Sequence, residues 1–189
     1  MPITTDPLDA LLAIRDGNLT ARWNFYDAVG TDLANPGGIG NAASLTYSFL
    51  SAVPSYFSTS GFEAFSTAER NATREVLEVF SSVARVDFTE VAGVGTMTFG
   101  MNAQGGTAGY AYYPSFGYGY DGDNLITSVT AADLAGDVWF NSSIAWTADD
   151  FTPGGSGYGT LIHEIGHAIG LKHPFEGNHT LEASLDSLQ

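Results

Sequence analysis

Residues 160–174 read Thr-Leu-Ile-His-Glu-Ile-Gly-His-Ala-Ile-Gly-Leu-Lys-His-Pro, and no other stretch limits the fold so sharply. His163 and His167 are four positions apart, so a helix stacks them on one face, one turn of rise from each other. Leu161, Ile162, Ile165, Ala168 and Ile169 supply the apolar residues that anchor such a helix to a core. Gly170 can take the left-handed conformation that ends helices, and Pro174 prevents the helix from resuming after His173. The stretch therefore reads as a helix, a glycine bend, and a return that carries a third histidine back towards the first two.

That arrangement suits a metal. Two imidazoles from one helical face and one from beyond a bend can converge on a single Zn²⁺ at roughly 2.0–2.1 Å each. Three neutral nitrogens leave one coordination position for water, which marks a catalytic rather than a structural site. Zinc lowers the pKa of such a water to about 7 and polarises a carbonyl. Glu164 follows the first ligand and so lies beside the metal instead of on it, placed to take a proton from water and hand it to a leaving amine. His163, His167 and His173 are thus the expected ligands, and Glu164 the expected general base and then acid.

A bare H-E-x-x-H is only a moderate signal. Here the glycine and third histidine are also in register, giving H-E-x-x-H-x-x-G-x-x-H, and three of the four histidines fall within eleven residues. The rivals are an amphipathic helix with merely satisfied histidines and a zinc site without catalysis. Glu164, which has no evident structural task, argues against the second. His179, the remaining histidine, reads as a loop residue that ligates nothing.

The chain has 189 residues, enough for one domain with a real core. With 44% apolar residues it is globular material, and nothing approaches the run of about 18 apolar residues that a membrane span requires. A net charge of −15 repels phosphate backbones, so nucleic acid is not an expected partner. The absence of cysteine excludes a disulfide-held scaffold. Met1-Pro2-Ile3-Thr4-Thr5-Asp6 lacks the basic start and apolar core of a signal peptide, so either the protein stays inside or its export signal lies elsewhere.

Along the chain, Leu8, Leu11 and Ile14 give residues 6–15 a short helical pattern. Residues 32–40 read as a loop and 44–49 as a half-buried strand. Ser66 and Glu69 form a capping box that opens a helix, with Ala72, Val76, Val79, Phe80 and Val83 expected to face a sheet. Strands are expected at 86–91, 96–100, 109–113 and 137–141, and a long surface loop at 114–123. Asp121-Gly122-Asp123-Asn124 offers the oxygen ligands calcium takes, although such clusters are more often plain turns. Asn18, Asn71, Asn141 and Asn178 begin N-x-S/T triplets that carry little meaning without a secretory context. The order of elements predicts an α/β or α+β domain with a mixed sheet.

With these residues in hand, the chain resembles the metzincin clan of zinc peptidases, and within it the serralysin family. Pro174 after the third histidine is the serralysin-like residue. Segments 45–49, 86–91, 97–100, 108–114 and 137–141 also resemble that family, in its order. The resemblance implies a twisted mixed sheet with a backing helix and an active-site helix, a zinc cofactor, and a secreted, monomeric endopeptidase with a polypeptide substrate and a proteinaceous inhibitor. It also implies that residues 108–114 form an edge strand above the cleft, where Gly109, Tyr110, Ala111 and Tyr112 bind an extended peptide by adding it to the sheet.

The chain departs from that family in having Met1, Met97 and Met101 but no methionine after His173, where a methionine turn and a tyrosine are expected. Calcium-binding repeats, the main expected place for Ca²⁺, are also missing. Residues 1–189 therefore read as a single, incomplete catalytic domain. The alternative is a truncated or inactive zinc- and peptide-binding domain that needs its C-terminal part for catalysis.

Overall fold

In the computed structural model of the chain, the described residues are 11–15, 19–38 and 40–176. Short strands β1 (Ile14–Arg15) and β2 (Leu19–Thr20) pair antiparallel and lead into a 3-10 turn at Trp23–Ala28. Then follow β3 (Ala43–Phe49), helix α1 (Thr67–Val83), β4 (Val86–Glu90), β5 (Met97–Asn102), β6 (Gly109–Ala111), β7 (Phe116–Tyr120), β8 (Ile126–Ala131), β9 (Val138–Asn141) and helix α2 (Ser156–Ile169).

The principal sheet has the order β4-β3-β5-β9-β6. Its first four strands are mutually parallel, and β6 alone runs antiparallel, at the edge beside β9. Period two divides the strands between two faces. Leu45, Tyr47, Met97, Phe99, Met101, Val138 and Phe140 share one core with Ala72, Val76 and Leu77 of α1 and Leu161, Ile165 and Ala168 of α2. Both helices therefore cover the same face. The other face carries Trp139, which packs on Phe57 with ring centroids 4.9 Å apart.

The capping box at α1 forms as expected. Glu69 N donates to Ser66 Oγ at 3.4 Å, and the Glu69 carboxylate accepts from Ser66 N. Such a cap stabilises a helix by about 0.5–2 kcal/mol. The buried stripe of α1 is rotated from the one expected. Glu69, Ala72, Thr73, Val76 and Leu77 are buried, whereas Val79 and Val83 are 49% and 79% exposed. Phe80, from the same expected stripe, does pack against the core, so in the last turns of α1 it is Val79 and Val83 that face outward.

Two further expectations fail. Residues 6–10 lie outside the described residues, and 11–15 are extended rather than helical. Leu12 bridges Leu171 antiparallel, with Ala13 N donating to Gly170 O at 3.0 Å and Lys172 N to Leu11 O at 2.8 Å. Long-range pairing thus overrides the local helical spacing. The loop expected at 114–123 is instead the first arm of a hairpin, β7 pairing with β8. Its glycines alternate with Phe116, Tyr118 and Tyr120, a strand period hidden by glycine content. At the tip, Asp121 Oδ1 accepts from Asp123 N and Leu125 N, both at 3.0 Å, as in a self-capped turn.

Candidate metal centre

Helix α2 owes its position to burial. Tyr158, Leu161, Ile165 and Ala168 recur along one side and are buried in the core. The fully buried Leu161 and Ile165 each contribute about 1.5–3 kcal/mol. The Trp23 indole Nε1 also donates to Ala168 O at 2.9 Å, fixing the last turn. This leaves His163 and His167 on the opposite side, towards the cleft.

The helix ends where the sequence demands. Gly170 has φ 111°, and its N–H and that of Leu171 donate to His167 O and Gly166 O at 3.0 and 2.9 Å, a Schellman closure. A Cβ at Gly170 would collide with the Ala21 carbonyl oxygen, so packing and backbone both require glycine. The chain then returns, braced by residues 11–13, and delivers His173.

The three ring nitrogens meet. His163 Nε2 and His167 Nε2 are 3.1 Å apart, His167 and His173 3.2 Å, and His173 and His163 3.0 Å. Three such nitrogens cannot all hydrogen-bond to one another, because each neutral ring offers either a proton or a lone pair at Nε2. Nitrogens bound tetrahedrally to one ion at roughly 2.0–2.1 Å would stand roughly 3.3 Å apart. The triangle therefore fits one zinc ion, and these are the described residues whose donor atoms cluster as a metal site.

The surroundings set the protonation that binding needs. Burial holds the His163 and His167 imidazoles below their usual pKa, and for His163 the other two rings add to the effect. His167 Nδ1 lies 2.7 Å from Leu171 O, which places its proton on Nδ1 and its lone pair on Nε2. Tyr113 packs edge-on against the same ring, with centroids 5.4 Å apart. Glu164 is buried beside the triad, and desolvation pushes its carboxyl up to about 7, against a smaller opposing pull from His173.

A cleft of about 430 Å³ opens between β6 and α2, lined by Ala108, Gly109, Ser156, Thr160, His163 and Glu164 among others. Gly109 is needed there, since a Cβ would press on Glu164 Cγ and Thr160 Cγ2 at 3.3 Å. Asn141 N donates to Ala108 O and Tyr112 N to Asp137 O, so by alternation the polar groups of Gly109 and Ala111 point away from β9. Tyr110 and Tyr112 turn the other way: the Tyr110 hydroxyl accepts from Asn102 Nδ2 at 2.7 Å, and Tyr112 meets Phe57. Of the four strand residues expected to meet a peptide, Gly109 lines the cleft, while Ala111 packs its side chain against the core. His179 lies outside the described residues.

Sequence reasoning missed the brace at residues 11–13, the ring of Tyr113, and Phe175 and Glu176 just past His173. A spacing of three between His173 and Glu176 was the one available signal.

A mixed sheet with an antiparallel edge strand above a histidine-bearing helix, and a third histidine returned by a glycine bend, define the zincin class of metallopeptidases. The chain belongs to the matrixin family (Peptidase M10), which it matches over residues 41–186, and its relatives are of the serralysin type. It is 35% identical over 183 residues to metallopeptidase AprA of Pseudomonas marginalis, covering 87% of this chain and 35% of that protein. Serralysin C of Dickeya chrysanthemi is 36% identical over 151 residues, covering 74% of this chain and 28% of its own. The chain spans about a third or less of the length of these relatives. The solved structure of myroilysin superposes with a TM-score of 0.40 at 18% identity, covering 73% of this chain and 52% of that one.

Proposed function

We propose that the chain carries the metal-binding and proton-transferring machinery of a zinc-dependent endopeptidase acting on extended polypeptides. The observation that carries this reading is the triangle of Nε2 atoms 3.0–3.2 Å apart with a buried carboxyl beside it. Bound zinc supplies an acidified water and polarises the scissile carbonyl. His163, His167 and His173 hold it. Glu164, with a pKa of about 7, takes the proton from the attacking water and returns it to the departing nitrogen. Gly109 and Ala111 offer free backbone N–H and C=O groups to an extended peptide, which adds to β6 as a further strand.

Likeness to the serralysins supports work outside the cell as a monomer, with a proteinaceous inhibitor as a further partner and calcium bound mainly by chain beyond these residues. A net charge of −15 argues against nucleic acid. Among the described residues no helix is long and apolar enough to cross a membrane.

Replacing Glu164 with Gln tests the mechanism. The variant should keep stoichiometric zinc while casein cleavage falls by about 10²–10⁴-fold. Normal cleavage by Glu164→Gln would refute the assigned role. A parent chain that binds zinc and peptide yet never cleaves casein would favour a binding domain without turnover.

A further inference from the structure

The third ligand stands outside any helix or strand, and an imidazole free to swing is a poor ligand. Yet His173 presents its Nε2 3.0 Å from His163 and 3.2 Å from His167. Its Nδ1 is buried and has no aligned hydrogen-bond partner among the described residues, while Glu176 Oε1 lies only 2.9 Å away on a side chain that is 51% exposed. Phe175 lies flat on the same ring, with centroids 5.1 Å apart and planes 7° from parallel. Lys172 Nζ donates to His173 O at 3.2 Å and Glu176 O at 2.7 Å, and Glu176 N donates to His173 O at 3.1 Å. Residues 172–176 thus form one clasped turn.

We infer that Glu176 and Phe175 are positioning residues for the third metal ligand, Glu176 by accepting the Nδ1–H of His173 and Phe175 by fixing the plane of its ring. The inference rests on His173 being a ligand, as proposed above. A small rotation of the exposed Glu176 side chain aligns its carboxylate with the buried N–H, which otherwise stays unsatisfied at a real cost. That bond keeps the proton on Nδ1 and the lone pair on Nε2. A carboxylate also makes the ring a stronger donor to a cation than a carbonyl does. His167 has a carbonyl acceptor, Leu171 O, so the two ligands would be tuned differently. Phe175 is 55% exposed, an arrangement that core packing does not explain. Lys172 pins the turn through backbone carbonyls and so brings both side chains to the ring.

Because Glu176 is half exposed, its contact adds little to the metal-free fold. Its effect should appear on the metal. The test uses the whole chain with Glu176→Ala, Glu176→Gln, Phe175→Leu and Phe175→Tyr. Zinc affinity is read by competition with a chromophoric chelator, the site's symmetry by the visible spectrum of the cobalt-substituted protein, and the fold by melting of the metal-free protein. Glu176→Ala should bind zinc about 10–100-fold more weakly, with an altered cobalt spectrum and an unchanged metal-free melting temperature. Glu176→Gln, whose amide oxygen still accepts, should fall between it and the parent. Phe175→Tyr should match the parent where Phe175→Leu does not.

Affinity of Glu176→Ala within about twofold of the parent, with an unchanged cobalt spectrum, overturns the inference. So does a metal-free melting temperature that drops in step with affinity, since that is the mark of a folding role. A parent that binds no stoichiometric zinc defeats the metal-centre reading itself, whereas tight binding by the parent and all four variants defeats only this inference.

Discussion

His163 and His167 stand on a helix whose inner residues, Leu161, Ile165 and Ala168, are all 0% exposed, whereas His173 stands on a turn in which Pro174 alone of residues 171–176 is buried. The first pair is aimed by the core. Any error in their direction would have to move α2 against α1 and the sheet, and packed interiors resist that. His173 is aimed by a backbone-clasped turn and a ring contact with near neighbours, together with the backbone of residues 11–13. One half of the centre is therefore as stable as the domain, and the other can be adjusted by single residues without disturbing the core.

The largest effect is expected where the two halves join. Gly170→Ala adds a Cβ that meets the Ala21 carbonyl at a backbone with φ 111°. It should destabilise the protein by about 2–4 kcal/mol and weaken zinc binding by displacing the turn, as read from denaturant unfolding and zinc titration. A variant with parental stability and affinity would show that the junction is not the constraint described here.

A smaller effect belongs to the helical half alone. Burial raises Glu164 from 4.5 to about 7 in the fold, so between those values the folded chain holds a proton that the unfolded chain has released. In chelator, its contribution to stability is full below about pH 4.5 and is lost as pH rises through about 7. Glu164→Gln should remove that part of the decline in unfolding free energy between about pH 4.5 and pH 7. An identical pH profile for parent and variant would mean that the carboxyl is not held neutral by burial.

Much of this was legible in sequence wherever the deciding residues are close together along the chain. The histidine spacing, the Gly170 stop and the Ser66/Glu69 capping box each lie within a few turns of chain; the three rings converge, and the stop and the cap form as read. The strands of the principal sheet and its mixed character were also legible, whereas β1, β2, β7 and β8 were not expected. What escaped depends on partners that are distant in sequence or on geometry with no periodic mark. Residues 11–13 look helical until Gly170 and Lys172 supply their hydrogen bonds. Glycine at 117 and 119 concealed the alternation of β7. Val79 and Val83 have helical spacing but lie outward, while Phe80 between them packs against the core. Nothing in the sequence alone separated Gly109, which lines the cleft, from Tyr110 and Tyr112, whose rings turn to Asn102 and Phe57.

The most direct measurement is X-ray absorption at the zinc edge on protein purified without chelator. Three imidazole nitrogens and one oxygen at about 2.0–2.1 Å, one metal per chain, are the predicted result. Zinc bound by fewer than three imidazoles, or a chain that retains no stoichiometric metal, would contradict the account.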